Sequence, residues 1–425
     1  MTPADCVLLP NLGAEEGDDW HAYSREASAR VAARLWALLF SKTATLRSPS
    51  SHPPSPQPEG KPRAWVDRPV GDLWPASLGA LPSEPAYAWI QPPGSLLPWL
   101  RTASLDDQTG QEDAHRMTGP EPKIVARVHD KAFALEAARD LELLPESLSK
   151  LISVVEAQEF ASPDLLLKTL TARLASWPAW TDRRFTLKPR SGSSGRGRVA
   201  GTAILDTAAI RGAFARLARR GGAIFEPWFE RCVDLSVCLR IPEPGSGESL
   251  PTLLGSLELL VTASGVYRGH CGELDSRGRI YSGHPEDENL RAQAASLANR
   301  AHEVGYFGPC GVDAFVYREA DRERLRPAVE FNARPTMGLV TLGLLRRARP
   351  QLRAELALEP GERGAFLFAM LPASEIASRI VEEAGSDAHS ISLTRRAEDA
   401  APVPVLFFSR DLAPLREAYR RHTDP

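Results

Sequence analysis

The stretch RFTLKPRSGSSGRGRVAG, residues 184–201, is built of unlike parts. Its flanks, 185–189 and 199–204, carry the apolar alternation of strands. Its middle, 191–198, has no side chains able to pack together, so the whole reads as a hairpin with a Gly/Ser tip. Gly192, Gly195 and Gly197 let backbone N–H groups turn towards an anion at little steric cost. Lys188, Arg190, Arg196 and Arg198 bring positive charge to the same place. A polyphosphate suits such a loop; a plain solvated turn is the other reading. No Gly-Lys-Ser/Thr step opens a helix here, which excludes a P-loop. A strand follows where the dinucleotide fingerprint needs a helix.

Around this hairpin lies a chain of 425 residues, long enough for two or three domains. Its net charge of −3 gives no basic footprint for nucleic acid or an acidic membrane. No apolar run reaches bilayer length, and the first residues lack the basic flank and apolar core of a signal peptide. Five cysteines without CxxC spacing read as free thiols in a reducing compartment, so a cytoplasmic location is expected.

Residues 6–13 (CVLLPNLG) read as a buried strand and turn, followed by a helical period over 23–40. The proline-rich run 48–63 cannot form a core and reads as an insertion. AWVDRP and AYAWIQPP read as strands, and the polar run 102–122 closes a first unit. KIVARVHDKAFALEAARDLEL then reads as a strand, a sharp turn at Asp130 and Lys131, and an amphipathic helix. A strand at LISVVEA and a proline-started helix from Pro163 precede the hairpin. A helix follows it, with Asp206 as the expected N-cap. Strands at AIFEPWFE, DLSVCLRIP and LLGSLELLVTASGVYRGH, a helix at ENLRAQAASLANRAHEVG, and strands at GVDAFVY and LRPAVEFNARP complete a second block. The remainder mixes helix and strand without a readable motif.

Two further segments carry chemistry. In AVEFNARP, strand alternation puts Glu330 and Asn332 on one side and Phe331 on the other, so a carboxylate and an amide oxygen converge. Such ligands suit Mg²⁺ shared with a phosphate. Asp313 in GVDAFVY reaches the same cavity if the two strands pair antiparallel. Solvated alternation on a half-exposed sheet is the plainer reading of each strand alone. In AIFEPWFERCVDLSVCLRI the strand breaks at Pro227 to Phe229 and restarts at Asp234. It can offer backbone groups to a base edge and Asp234 to ribose hydroxyls; an ordinary hairpin with Trp228 in a core is equally open.

The order of these motifs from 123 to 338 resembles the ATP-grasp superfamily. The resemblance implies an α/β (α+β) ATP-grasp fold, two α+β subdomains clamping ATP behind an α/β preATP-grasp-like domain. The corresponding boundaries are 1–122, 123–345 (divided at 225/226) and a C-terminal extension 346–425. It implies Lys131 and Lys188 on the phosphates, with Ser191, Gly192, Ser193, Ser194 and Gly195 covering them. Glu226, Trp228 and Phe229 would form the adenine hinge, and Asp234 the ribose contact. Asp313, Glu330 and Asn332 would hold Mg²⁺, two ions or Mn²⁺ in their place. Arg334 would stabilise the carboxylate and its oxyanion, with Lys188 also catalytic. Two positions depart from the pattern: Gly311 stands where dipeptide-forming relatives often carry arginine, and the hinge is one residue longer before Asp234.

The activity so implied is an ADP-forming carboxylate–amine ligase acting on a small-molecule acid and amine, an amino acid or peptide by default. No nucleic-acid or membrane partner is expected, and a homodimer is allowed. A kinase or carboxylase of the same fold, or a nucleotide-binding protein without turnover, are the alternatives; no Ala-Met-Lys-Met biotinyl site is present. His270 reads as a structural histidine before an acid/base group, Cys271 and Cys310 as buried thiols, Glu258 and Glu273 as solvated with a place in the substrate pocket as the other reading, and the arginines near 219 and 346 as solvated helix faces.

Overall fold

The computed structural model describes residues 6–16, 23, 26–49, 65–90, 94–109, 116–192, 197–205, 207–262, 265–394 and 402–423. The sites expected at Ser193, Ser194 and Gly195, and nearly all of the proline-rich run, lie outside these. Three sheets organise the chain. In the first, β1 (Val7–Leu9) pairs in parallel with β2 (Thr45–Pro49) and β4 (Leu96–Pro98), while β3 (Trp65–Pro69) closes the β2 edge antiparallel. The helix α1 (Ala27–Ala37) buries Leu35 and Trp36 beneath it.

The second sheet has the order β5-β8-β6-β7, from β5 (Ser153–Glu156), β6 (Phe185–Pro189), β7 (Val199–Gly201) and β8 (Gly222–Pro227). The hairpin β6–β7 pairs antiparallel from Phe185↔Gly201 to Leu187↔Val199. Phe185, Leu187 and Phe225 pack with Leu170 and Phe214 into a small separate core.

The third sheet is large, in the order β14-β13-β9-β10-β11-β15-β17-β16. Its strands are β9 (Arg231–Ile241), β10 (Thr252–Val261), β11 (Tyr267–Asp275), β12 (Ile280–Tyr281, paired on β11), β13 (Gly308–Glu319), β14 (Arg322–Asn332), β15 (Arg363–Leu371), β16 (His389–Ser392) and β17 (Val403–Ser409). Residues beyond 346 therefore supply β15 to β17, which continue the central sheet.

Four local expectations are corrected. KIVARV is helical: α2 (Pro122–His129) runs to Asp130, and α3 (Lys131–Asp140) restarts at once. Pro122 presets the first turn, and Val125 and Val128 bury one face at helical spacing, which outweighs their β-branching. AYAWIQPP gives a single 3₁₀ turn at Ala88–Ile90 instead of a strand. The helix after the hairpin (Ala208–Arg219) is capped by Thr207, whose Oγ1 accepts from Ile210 N, and not by Asp206, which lies outside the described residues. The arginines near 346 are not simply solvated: Arg347 donates to three carbonyls just past α1.

Candidate active site

The site is built where the second and third sheets face each other. Asp313 and Glu330 are directly opposed in the antiparallel β13–β14 pair, and Gly311 is opposed to Asn332. Asp313 accepts from Asn332 Nδ2 at 2.9 Å through one oxygen and from Ser236 Oγ at 2.9 Å through the other. Burial, and then the nearby Glu330 charge, raise its carboxyl to about 6 against those two hydrogen bonds. Glu330 goes the other way: burial opposes ionisation, but Lys131 and His129 outweigh it and hold the carboxyl low.

Lys131 opens α3, and its ammonium lies 3.1 Å from Glu330 Oε1 while donating to Gly192 O at 2.6 Å. Its position is braced by Arg190, which donates to both oxygens of Asp130 and, at 2.5 Å, to Glu156. Asp130 also caps α3 by accepting from Ala132 N at 2.9 Å. The Asp-Lys step and the start of the glycine-rich tip are thus one unit.

Lys188 projects from β6 against Glu226 of β8, and Glu226 is also ion-paired with Arg326 of β14. Glu226 and Arg326 are almost fully buried. Burial lowers the Lys188 ammonium to about 8 despite Glu226. Burial works to raise the Glu226 carboxyl, yet Arg326 and Lys188 bring it down to about 2. Arg326 lies opposite Phe315, two residues along β13 from Asp313. The β13–β14 register shifts between these positions, but β13 itself pairs regularly with β9 there and keeps Asp313 and Phe315 on one face, so their partners Glu330 and Arg326 share it; Lys131 meets that face at Glu330, and Lys188 through Glu226 and Arg326.

Arg334 turns to the N-terminal unit: its Nη2 lies 3.1 Å from Glu15 Oε1, and its guanidinium stands 5.7 Å from the Trp99 ring centre. His129 accepts from Ala333 N at 3.3 Å through Nδ1, and burial, then Arg334, lower the imidazole to about 4. Gly311 has a steric reason here, since a Cβ would stand 2.8 Å from Thr336 Cγ2.

The hinge differs from expectation in one respect. Pro227 has no N–H and Trp228 N donates to Arg184 O at 2.8 Å, so Trp228 cannot give its amide to a base edge; Phe229 N is the hinge donor left. Asp234 pairs with Arg231 at 2.5 Å, and Arg198 stacks on Trp228 with 4.6 Å to the ring centre. Glu258 is also corrected: it is buried and held by Arg416 at 2.5 Å. His270 is structural, bonded through Nδ1 to Tyr267 and Thr341 and lowered to about 3 by burial.

Among the described residues no group of three His, Cys, Asp or Glu side chains is arranged for a metal. The set present is two opposed carboxylates and one amide. It fits Mg²⁺, a hard cation that takes few protein oxygens alongside phosphate. Ser236, Arg326 and Glu15 escape a reading of the sequence. Ser236 alternates with Asp234 and was open to the same argument; the other two carry no local signal.

No family model matches the chain, and no curated protein matches it. Solved structures similar to it include ATP-grasp proteins. Carboxyaminoimidazole ribonucleotide synthase from Aspergillus clavatus, complexed with ATP, is 16% identical over 78% of this chain and 80% of its own, with a TM-score of 0.46. N5-carboxyaminoimidazole ribonucleotide synthetase from Thermus thermophilus is 14% identical over 78% and 82%, at 0.47. Biotin carboxylase from Campylobacter jejuni is 12% identical over 77% and 73%, at 0.45. Likeness this distant carries no argument about what the cleft does, which its own side chains have to supply.

Proposed function

We propose that the chain is an ATP-grasp enzyme, an ADP-forming ligase that joins a carboxylic acid to an amine. The observation that carries this is the gathering of Lys131, Lys188, Asp313, Glu330 and Asn332, from four separate stretches, about one face of β13 and β14. Each lysine already faces carboxylate oxygens, which phosphate oxygens can replace. Arg326 keeps the Glu226 charge answered when Lys188 turns to phosphate.

A carboxylate is a poor electrophile until one oxygen becomes a good leaving group. Its oxygen attacks the γ-phosphorus, the bond to the bridging oxygen breaks and ADP leaves. The amine then attacks the acyl carbon, and phosphate departs. Mg²⁺, when bound, offsets the phosphate charge during transfer, and Asp313, Glu330 and Asn332 are the residues that would hold it. The hairpin β6–β7 would cover the phosphates and keep water from the acyl phosphate.

The test is phosphate release across acid and amine pairs, with hydroxylamine as a substitute amine to trap hydroxamate. ADP and phosphate are expected to need both substrates, and Glu330→Ala to lower the rate by about a hundredfold or more. Release of AMP rejects the ligase. Turnover with bicarbonate as the acid makes it a carboxylase, and a stable phosphorylated product without an amine makes it a kinase.

A further inference from the structure

His129, the last residue of α2, is held against the end of β14. Its Nδ1 accepts from Ala333 N at 3.3 Å, one residue beyond Asn332. An amide N–H donates only to an unprotonated ring nitrogen, so the imidazole carries its proton on Nε2. That Nε2–H is shielded from solvent and has no hydrogen-bond partner among the described residues, on a side chain 6% exposed. A nitrogen that keeps its proton cannot ligate a metal, so His129 does not join Asp313, Glu330 and Asn332.

Arg334 repeats the pattern. Its Nη2 meets Glu15 at 3.1 Å and its Nη1 donates to Pro335 O at 3.1 Å, while its Nε–H is buried without a partner among the described residues. The Arg334 charge acts on the His129 ring, as do those of Glu15, Glu330 and Lys131. Folded proteins leave few buried N–H groups in this condition, because each gives up its hydrogen bond to water and gains none. Here two of them belong to neighbouring side chains of the cleft.

We infer that His129 Nε2–H and Arg334 Nε–H form a seat for one oxygen of the acid's carboxyl group, with His129 as a neutral donor in the reaction. The part this oxygen plays rests on the ligase reading above; the seat rests on the two unpartnered donors. A carboxyl group that attacks the γ-phosphorus has to lie beside the phosphates. His129 stands two residues before Lys131 and bonds the residue next to Arg334, so it belongs to both neighbourhoods. One carboxyl oxygen takes the phosphoryl group while the other accepts from the two donors. When the amine attacks the acyl carbon, the carbonyl electrons move onto the seated oxygen, which becomes an oxyanion. The bond to the phosphorylated oxygen then breaks, the electrons return to the carbonyl, and phosphate leaves with the proton given up by the amine. His129 keeps its proton throughout, and its hydrogen bond strengthens as charge develops.

The test uses the full chain with saturating Mg–ADP and two phosphonates of equal length. Acetonylphosphonate has a carbonyl where an acyl phosphate has one, and propylphosphonate lacks it. Histidines labelled with heavy nitrogen are read by NMR, the His129 signals being those lost in His129→Gln. Before either probe is added, they should show the proton on Nε2. Acetonylphosphonate should move the Nε2–H signal downfield, and propylphosphonate should leave it in place. Calorimetry should find acetonylphosphonate bound about tenfold tighter than propylphosphonate. His129→Phe keeps a ring without a donor and should abolish that preference; His129→Gln offers an amide N–H and should keep part of it. Continued binding of Mg–ADP checks the fold of both, and the wild-type spectra decide the matter even if His129→Phe fails to fold. A ring proton on Nδ1, an unmoved Nε2–H signal, no preference for the carbonyl probe, or equal loss in both variants overturns the inference and leaves the ligase reading standing. A carbonyl preference that depends on His129, in a chain that binds no Mg–ADP, keeps the seat and removes the ligase reading.

Discussion

Asp313 and Glu330 sit opposite each other with unequal proton affinities, because Lys131 stands on the Glu330 side. Asp313, facing another carboxylate in a buried place, titrates near 6; Lys188, buried beside Glu226, titrates near 8. The signs set a window. Below about 6 Asp313 gains a proton and loses the charge a metal needs, and above about 8 Lys188 loses the proton and charge a phosphate needs. Mg–nucleotide affinity should therefore peak between these values and fall about tenfold by one pH unit outside either edge. Calorimetric titrations from about pH 5 to 9 check this, and a flat profile would remove the two residues from the nucleotide site. The convergence of Glu330 and Asn332 was legible because strand alternation constrains a Glu-x-Asn triplet. Arg326 was not: a lone arginine in a strand says nothing of a partner a hundred residues away.

At the scale of elements, the hairpin and the helix that starts at Lys131 work together through β8. Gly222 opens that strand with φ of +113°, and a Cβ there would stand 2.2 Å from Val155 O. Its carbonyl accepts from Arg190 N at 3.2 Å, and Arg190 holds Asp130 beside Lys131. Gly222→Ala meets both a conformational and a steric penalty, expected at about 2–4 kcal/mol together. It should lower the urea midpoint and weaken nucleotide binding, since the shift passes through Arg190 to Lys131. A wild-type midpoint would show that β8 tolerates the methyl group. Hairpins and long amphipathic helices were readable here because their signals are local. The segment 123–128 was misread because short apolar runs suit either period, and the packing of Val125 and Val128 decided it.

The whole molecule depends on how its N-terminal unit is held: Arg34 donates to Leu393 O at 2.8 Å, Arg334 pairs with Glu15, and the helix that follows the Glu-x-Asn triplet adds a packed contact of its own. The helix Met337–Arg347 places Gly343 so tightly on Leu39 that a Cβ would meet its Cγ at 2.5 Å. Four residues on, Arg347 donates to Leu38 O at 3.1 Å and to Leu39 O, Phe40 O and Glu84 O at 2.9 Å. The first three carbonyls lie just past α1, where a helix leaves acceptors without partners of its own. Sequence pattern could not show this, because a terminal arginine pair looks the same facing water or a distant backbone. Arg347→Ala leaves these acceptors without their charged donor and should cost about 3 kcal/mol; Arg347→Lys should restore little, lacking a planar fork for several carbonyls. The Glu15–Arg334 pair joins the same unit to the site, so loosening it should also displace Arg334 and slow turnover. Hydrogen exchange locates the effect: amides of 35–40 should lose protection in Arg347→Ala while those of β9 and β13 keep theirs. Uniform loss across both regions would mean that the N-terminal unit and the large sheet open as one body, and unchanged protection would mean that Arg347 does not hold them together.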